Sequence, residues 1–496
     1  MTGAIAVIAS ADARIRFRRV STVVAFLILS ALAYVWVPDP STGRALMRID
    51  GHRALYNSGA IGMATALLGA IFVCLGGYSV ISNAILRDVR SRCGSVIAST
   101  TVRNGEYIIG KFLGNILFLG TFFAGFMLVS MAMVLVRGEA PLEVGTFLLQ
   151  YLLIAPPPIV FASVLAIVFE SIPFLSGRFG DVVYFFLFLG LLGAAVATAE
   201  TTGATWPAYF DPSGMAPVIL QTTAALHTKS IAIGAGPFDR HLPPVVYPGL
   251  PASGELFAER LLALIVPLPL LLIARLSFHR FDPARVRASA SQKRRWFSRL
   301  NAIGKPLTRR MLALARSPVA ADALMTATLT PVVVLLAIAS LIAGTKSVAT
   351  AFVLTGLAIA DVASRDFQQG TVALIYAAPR LREHFVAWKF LSSLCVAVVM
   401  LATAILHAPI AAVLTGLLFM TSAATLLAIV TRNAKAFIVL FLSFWYVVVS
   451  DRGHTPALDF AGFFGRPPAS VTLMYAVMAV ALFVAAEGVY RWRLAR

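Results

Sequence analysis

Long apolar runs separated by short polar stretches dominate this chain. A helix needs about 20 mostly apolar residues to cross the hydrocarbon core of a bilayer. Twelve stretches meet or approach that length: 21–37, 59–84, 109–136, 146–170, 182–199, 257–276, 323–343, 348–363, 387–406, 410–430, 436–450 and 471–490. The eighth and eleventh are short, so ten or eleven crossings also fit. Gly, Ala and Ser are frequent within the runs, which lets helices approach closely in lipid. Pro267, Pro269 and Pro331 fall inside them, where kinks are tolerated if neighbours satisfy the freed carbonyls. The pattern predicts an all-α polytopic membrane protein with about 12 transmembrane helices.

Composition narrows the class. Of 496 residues, 59% are hydrophobic and 13% charged, and the mean hydropathy is +0.86. That is about half the charged fraction of a soluble domain, so a soluble multidomain enzyme, a disordered chain and a fibrous repeat are all excluded. The charges are lopsided, with 41 Lys and Arg against 22 Asp and Glu. Placing the N-terminus inside puts 31 of the basic and 11 of the acidic residues on the cytoplasmic side. The inner face then carries +20 and the outer face −1. Lys and Arg stay on the cytoplasmic side of a bilayer, which predicts N-in, C-in in a bacterial-type plasma (inner) membrane. The basic excess is read as orientation and contact with membrane lipid. No fold motif supports nucleic-acid binding. Cys74 and Cys395 fall in spans and Cys93 in an inner loop, so no disulfide is expected. The arginines from Arg14 to Arg19 precede an apolar run with no small-residue cleavage site before Trp36, which reads as an uncleaved anchor. Residues 4–19 mix Ile5, Ile8, Ile15 and Phe17 with arginines and suit a short helix along the inner surface.

The spans divide into two halves that look like repeats. The first half covers 1–276, a basic linker 277–317, and the second half 318–496. Each half places its main polar inner loop between its second and third spans, at 85–111 and 364–389. Arg87-Asp88 and Lys111-Phe112-Leu113 in the first match Arg365-Asp366 and Lys389-Phe390-Leu391 in the second, with 24 residues from Arg to Lys in both. Asp211-Pro212-Ser213-Gly214 and Asp459-Phe460-Ala461-Gly462 form a second, weaker match. Six spans per half is even, so the halves run parallel. Both inner loops mix charged and apolar residues, which suits a helix along the inner surface offering a face to a soluble partner. Outside, only 38–58 and 200–256 have substance. The second carries Trp206, Tyr209, Phe210 and Phe238, read as an interfacial aromatic belt on a structured loop.

Several motifs fail on inspection. Gly105 to Lys111 matches G-x4-G-K, but Phe112 replaces the Ser or Thr that holds magnesium, and no strand precedes it. There is no His-Glu-x-x-His, Cys-x-x-Cys or Gly-x-Ser-x-Gly. Met127, Met131, Met133, Met474 and Met478 read as packing rather than a copper site. Glu170, Glu200, Asp361 and Glu487 lie near span ends, and no carboxylate sits at a span midpoint, which weighs against an ion-coupled carrier.

The inner loops resemble the permeases of ABC-2-type exporters. The first copy reads Arg87-Asp88, Cys93-Gly94-Ser95, Ser99-Thr100-Thr101-Val102-Arg103, Glu106-Tyr107 and Gly110-Lys111. The second reads Asp366, Gly370-Thr371, Ala378-Pro379-Arg380, Glu383, Phe385 and Lys389, and keeps the Gly-Thr and Pro that the first lacks. The resemblance implies a fused membrane subunit without its own ATPase site or catalytic residues, working singly or as a dimer. It implies a cytoplasmic ABC ATPase, in two copies, that binds ATP and Mg and docks near Arg87, Asp88, Arg103, Glu106, Lys111, Arg365, Asp366, Gly370, Arg380, Glu383 and Lys389. No cofactor or metal is expected in this chain, and no substrate site is assigned. Two other readings compete. One is an ion-coupled carrier. The other is a membrane enzyme acting on lipid or glycan through Asp211, His227, Asp239 and His241.

Overall fold

The computed structural model describes residues 2–18, 20–172, 174–201, 206–228, 230–278, 281, 306, 310, 317–329 and 331–495. Helix occupies each of the twelve apolar stretches. Among the described residues, seven helices are long and apolar enough to cross a membrane: Ser58–Val89, Asn104–Arg137, Val144–Ser171, Arg178–Thr201, Gly254–Ser277, Ile410–Thr431 and Ala469–Leu494. The others are shorter. Val20–Trp36 and Lys435–Asp451 have 17 residues each, about 25 Å at 1.5 Å per residue. The chain divides into two compact units, Met1–Val286 and Arg287–Arg496. Most of the 277–317 linker lies outside the described residues.

Local chemistry explains where helices break. In the 323–343 stretch the helices Pro318–Leu329 and Pro331–Ala343 flank Thr330, which lies outside the described residues. Pro331, without an amide hydrogen, suits the first turn of a helix. The 387–406 stretch divides at Leu401 into Phe385–Met400 and Ala402–His407. There Ser340 Oγ donates to the Met400 carbonyl at 2.9 Å, and Thr403 Oγ donates to the Leu341 carbonyl at 2.7 Å. Such side-chain bonds take over backbone acceptors at a break. Within Ser58–Val89, a π turn spans Val73–Gly77. Asn83 then turns left-handed at φ 70° before the helix Ala84–Arg90. Asn83 offers no capping bond, and the Glu170 carboxylate does that work across the bundle by accepting from the Ala84 and Ile85 amides at 3.0 and 2.6 Å.

The outer segments 38–58 and 200–256 are not all loop. They contribute a three-stranded antiparallel sheet in the order β2-β1-β3, with β1 Arg44–Ile49, β2 His52–Arg53 and β3 Ile231–Pro237. Asp50 and Gly51 both have positive φ, 48° and 84°. This is the mirror-image two-residue turn that Asp-Gly favours, because its twist matches the strands it joins. The Trp206 side chain lies outside the described residues, and Phe238 lies under the Arg53 guanidinium, 5.9 Å from ring centre to cation.

Glu139 ties this sheet to the bundle. Its carboxylate accepts from Arg53 at 2.5 and 2.7 Å and from the Tyr56 amide at 3.0 Å. The Arg53 hydrogen bonds outweigh desolvation and hold the Glu139 carboxyl below its ordinary value. A carboxylate with a depressed folded-state pKa stabilises the fold above its unfolded pKa and loses that contribution as pH falls through the folded value. Wild type should therefore melt higher than Glu139→Gln at neutral pH, and the gap should close below about pH 4. Melting curves of both proteins across that range check it, and a gap that widened on acidification would reverse the assignment.

Candidate functional site

The two matched inner loops are held by two matched knots of buried ion pairs. In the first unit the N-terminal helix Thr2–Phe17 lays Ala9, Asp12, Ala13 and Arg16 against the start of Asn104–Arg137. Glycines permit the approach. A Cβ on Gly110 would lie 2.8 Å from Ile8, and one on Gly114 would lie 3.2 Å from the Ala9 carbonyl and from Asp12. Asp12 thereby sits at the centre of three cations. It pairs with Arg16 at 2.7 Å, with Lys111 at 2.9 Å, and with Arg87. Lys111 also pairs with Asp88 at 2.7 Å. Tyr107 donates to Asp88 at 2.8 Å, and Arg16 donates to Asn115 at 2.8 Å. Burial works against the charge on Asp12. The Arg16, Lys111 and Arg87 cations outweigh it, so the carboxyl stays below its ordinary pKa and ionised.

The second unit repeats the arrangement. Asp322, on the helix Pro318–Leu329, takes the place of Asp12. Lys389 pairs with Asp322 at 2.9 Å and with Asp366 at 2.6 Å. Arg365 lies 3.7 Å from Asp322 and donates to Thr326 Oγ at 3.0 Å. Thr326 stands four residues after Asp322, as Arg16 stands four after Asp12. The units differ in tightness. Phe385 stands where Tyr107 does and has no hydroxyl for Asp366, which instead accepts from Thr371 Oγ at 3.0 Å.

These knots change the roles of the expected docking residues. Lys111 and Lys389 are 5% and 1% exposed, and their ammonium groups are spent inside the protein. Arg87, Asp88, Arg365 and Asp366 join them as the fastening of each connector. Gly105 to Lys111 belongs to the helix Asn104–Arg137, so the phosphate-loop reading fails on conformation. Arg103 and Glu106 begin that helix, with the Glu106 carboxylate accepting from the Arg103 amide at 2.8 Å. Gly370 ends the helix Arg365–Gln369 at φ 73°. Arg103, Gly370, Arg380 and Glu383 remain exposed.

Neither connector is the single surface helix expected. The first is Ala84–Arg90 and Cys93–Ser99, broken at Arg92 with φ 58°. The second is Arg365–Gln369, Val372–Tyr376 and Pro379–Glu383. Tyr490 donates to the Arg382 carbonyl at 2.8 Å and fastens the second to the last helix. Each connector shows one large apolar side chain to the outside, Val96 at 66% and Leu374 at 76% exposure. Val96 lies nine residues after Arg87 and Leu374 nine after Arg365, so the two knobs occupy one register.

The Asp-x-x-Gly match also has a local conformation behind it. Asp211 accepts from the Ser213 and Ala216 amides at 2.8 and 2.9 Å. Asp459 accepts from the Phe463 and Phe464 amides at 2.7 and 3.1 Å. Gly214 and Gly462 both have positive φ, 87° and 72°. Asp211 is fully buried. Arg260, also buried, donates to the backbone carbonyls of Leu153, Asp211 and Pro212. Asp239 and His241 meet only in a local turn, where the His241 amide donates to Asp239 at 2.9 Å. Among the described residues no group of His, Cys, Asp and Glu could hold a metal ion. An apolar groove of about 670 Å³ runs between Asn104–Arg137 and Val144–Ser171, lined by Phe123, Met127, Leu148, Leu152 and Pro156 among others.

Reading along the chain missed Asp12, Arg16, Asp322, Thr326 and Arg260. A signal existed for two of them, since Asp12 and Arg16 are spaced as ion-pair partners on a helix. Long apolar helices with buried polar knots define an integral membrane protein of two helical units. No protein-family model, no curated protein and no solved structure matches the chain.

Proposed function

We propose that this chain is the membrane subunit of an ATP-driven exporter of ABC-2 type. In this reading about twelve helices cross a bacterial-type inner membrane with both termini inside, and the energy comes from a separate ATPase that binds ATP and Mg. The observation that carries the proposal is the matched pair of connectors. Each is fastened by a buried ion knot, and each presents an exposed aliphatic side chain at the same register, Val96 or Leu374. A large, strongly exposed apolar side chain suits the pocket of a partner. Two such knobs suit two copies of one partner. The apolar groove of the first unit favours an amphiphilic cargo.

The purified chain alone should then hydrolyse no ATP, and its ATPase should co-purify with it. Val96→Asp together with Leu374→Asp should cut ATPase recovery at least tenfold, the order lost when a central interface residue is truncated. Both side chains are exposed, so the melting temperature should not move. An ATPase retained at wild-type level by the double variant, or transport undiminished without any ATPase, would count against the proposal.

A further inference from the structure

The N-terminal helix Thr2–Phe17 has two faces, and the ion knot uses only one. Val7, Ala11, Arg14, Ile15 and Arg18 form a continuous stripe on the other face, all exposed, with Val7 at 65% and Ile15 at 50%. The stripe carries positive charge and aliphatic carbon and no acidic residue. The one acid of the helix, Asp12, points the opposite way into the knot. The helix leads directly into Val20–Trp36, where the apolar run begins. Basic residues beside aliphatic ones at the mouth of an apolar helix match a headgroup layer of negative charge, with the aliphatic side chains entering the acyl boundary. The corresponding helix of the second unit, Pro318–Leu329, contains no Lys or Arg, so the stripe has no counterpart on that helix.

We infer that Thr2–Phe17 is a sensor of anionic lipid, and that Asp12 transmits its seating on the membrane to the first connector. The helix binds a surface of anionic headgroups through Arg14 and Arg18. Asp12 moves with it and carries Arg87, in the connector's first helix Ala84–Arg90, and Lys111, which follows the connector and pairs back to Asp88. Anionic lipid thereby stiffens residues 84–103 and leaves 365–383 unaffected, an asymmetry between otherwise matched loops. The inference requires only that the chain is embedded in a bilayer, and it does not depend on the ATPase.

Hydrogen exchange of the full chain in vesicles tests this, with phosphatidylcholine alone compared with phosphatidylcholine plus phosphatidylglycerol. Amides of 2–18 and of 84–103 should both gain protection on adding the anionic lipid. The gain should be about twenty-five-fold, since each of the two arginines near such a surface contributes about fivefold. Amides of 365–383 should not respond. Arg14→Gln with Arg18→Gln should abolish both gains. Asp12→Asn should keep the gain in 2–18 and lose it in 84–103. Arg87→Gln with Asp88→Asn, which cuts both ion-pair routes from Asp12 to the connector and leaves Asp12 paired with Arg16 and Lys111, should do the same if Asp12→Asn fails to fold. An equal response in both connectors would mean a general bilayer effect and overturn the inference. So would a connector gain that survives Arg87→Gln with Asp88→Asn. Protection of 2–18 that ignores lipid charge but rises with protein density would assign the stripe to a second copy of the chain instead.

Discussion

Lys389→Ala should destabilise the purified protein by about 3–5 kcal/mol, the range measured when one member of a buried ion pair is removed. Among the described residues the Lys389 ammonium is the one cation within 3 Å of both Asp322 and Asp366, and its side chain is 1% exposed. Without it, among those residues, Asp322 keeps Arg365 as its ion-pair partner, at 3.7 Å, and Asp366 keeps the Thr371 hydroxyl. A carboxylate stranded in a low-dielectric setting costs far more than the pair gains over an apolar substitute. Denaturant or thermal unfolding in detergent measures the loss. Adding Asp322→Asn should restore part of it, because one stranded charge is removed. Lys111→Ala should cost less, since Asp12 retains both Arg16 and Arg87. A loss below about 1 kcal/mol for Lys389→Ala would place the knot among ion pairs that contribute little.

Asp211→Ala should cost about 2–4 kcal/mol, because it leaves buried amides unpaired at about 1–3 kcal/mol each. The carboxylate accepts from the Ser213 amide, the Ser213 hydroxyl and the Ala216 amide, and Asp211 is fully buried. Asp459→Ala should act in the same direction, since it strands the Phe463 and Phe464 amides. Asp239→Ala removes a similar local bond from an exposed loop and should change little. Comparing the three melting curves separates a turn buried among helices from a turn in water. If Asp211→Ala and Asp239→Ala behaved alike, the buried turn would not be structural.

What could be read from the chain, and what could not, follows from the reach of each interaction. Continuous apolar runs mark helices without ambiguity, and every one of the twelve became helix. Length was less legible. The break at Leu401 goes with a bond from Ser340, sixty residues away in sequence. The 24-residue register from Arg to Lys was plain in both halves. Its meaning was not, because the carboxylates that bury those cations, Asp12 and Asp322, stand 99 and 67 residues before their lysines. The outer sheet was a different miss. Asp50-Gly51 is a short-range hairpin signal, but β1 finds β3 almost two hundred residues later, and neither strand is long enough to stand out alone.

Each knot draws all its members from its own unit. Asp12, Arg16, Arg87, Asp88 and Lys111 close one, and Asp322, Arg365, Asp366 and Lys389 close the other. The linker between them supplies none of these groups. Among the described residues each knot is therefore closed from within its own unit, so a substitution that opens one leaves every counter-charge of the other in place. The two differ in detail, with Arg16 and the Tyr107 hydroxyl in the first where the second has Thr326 and Phe385.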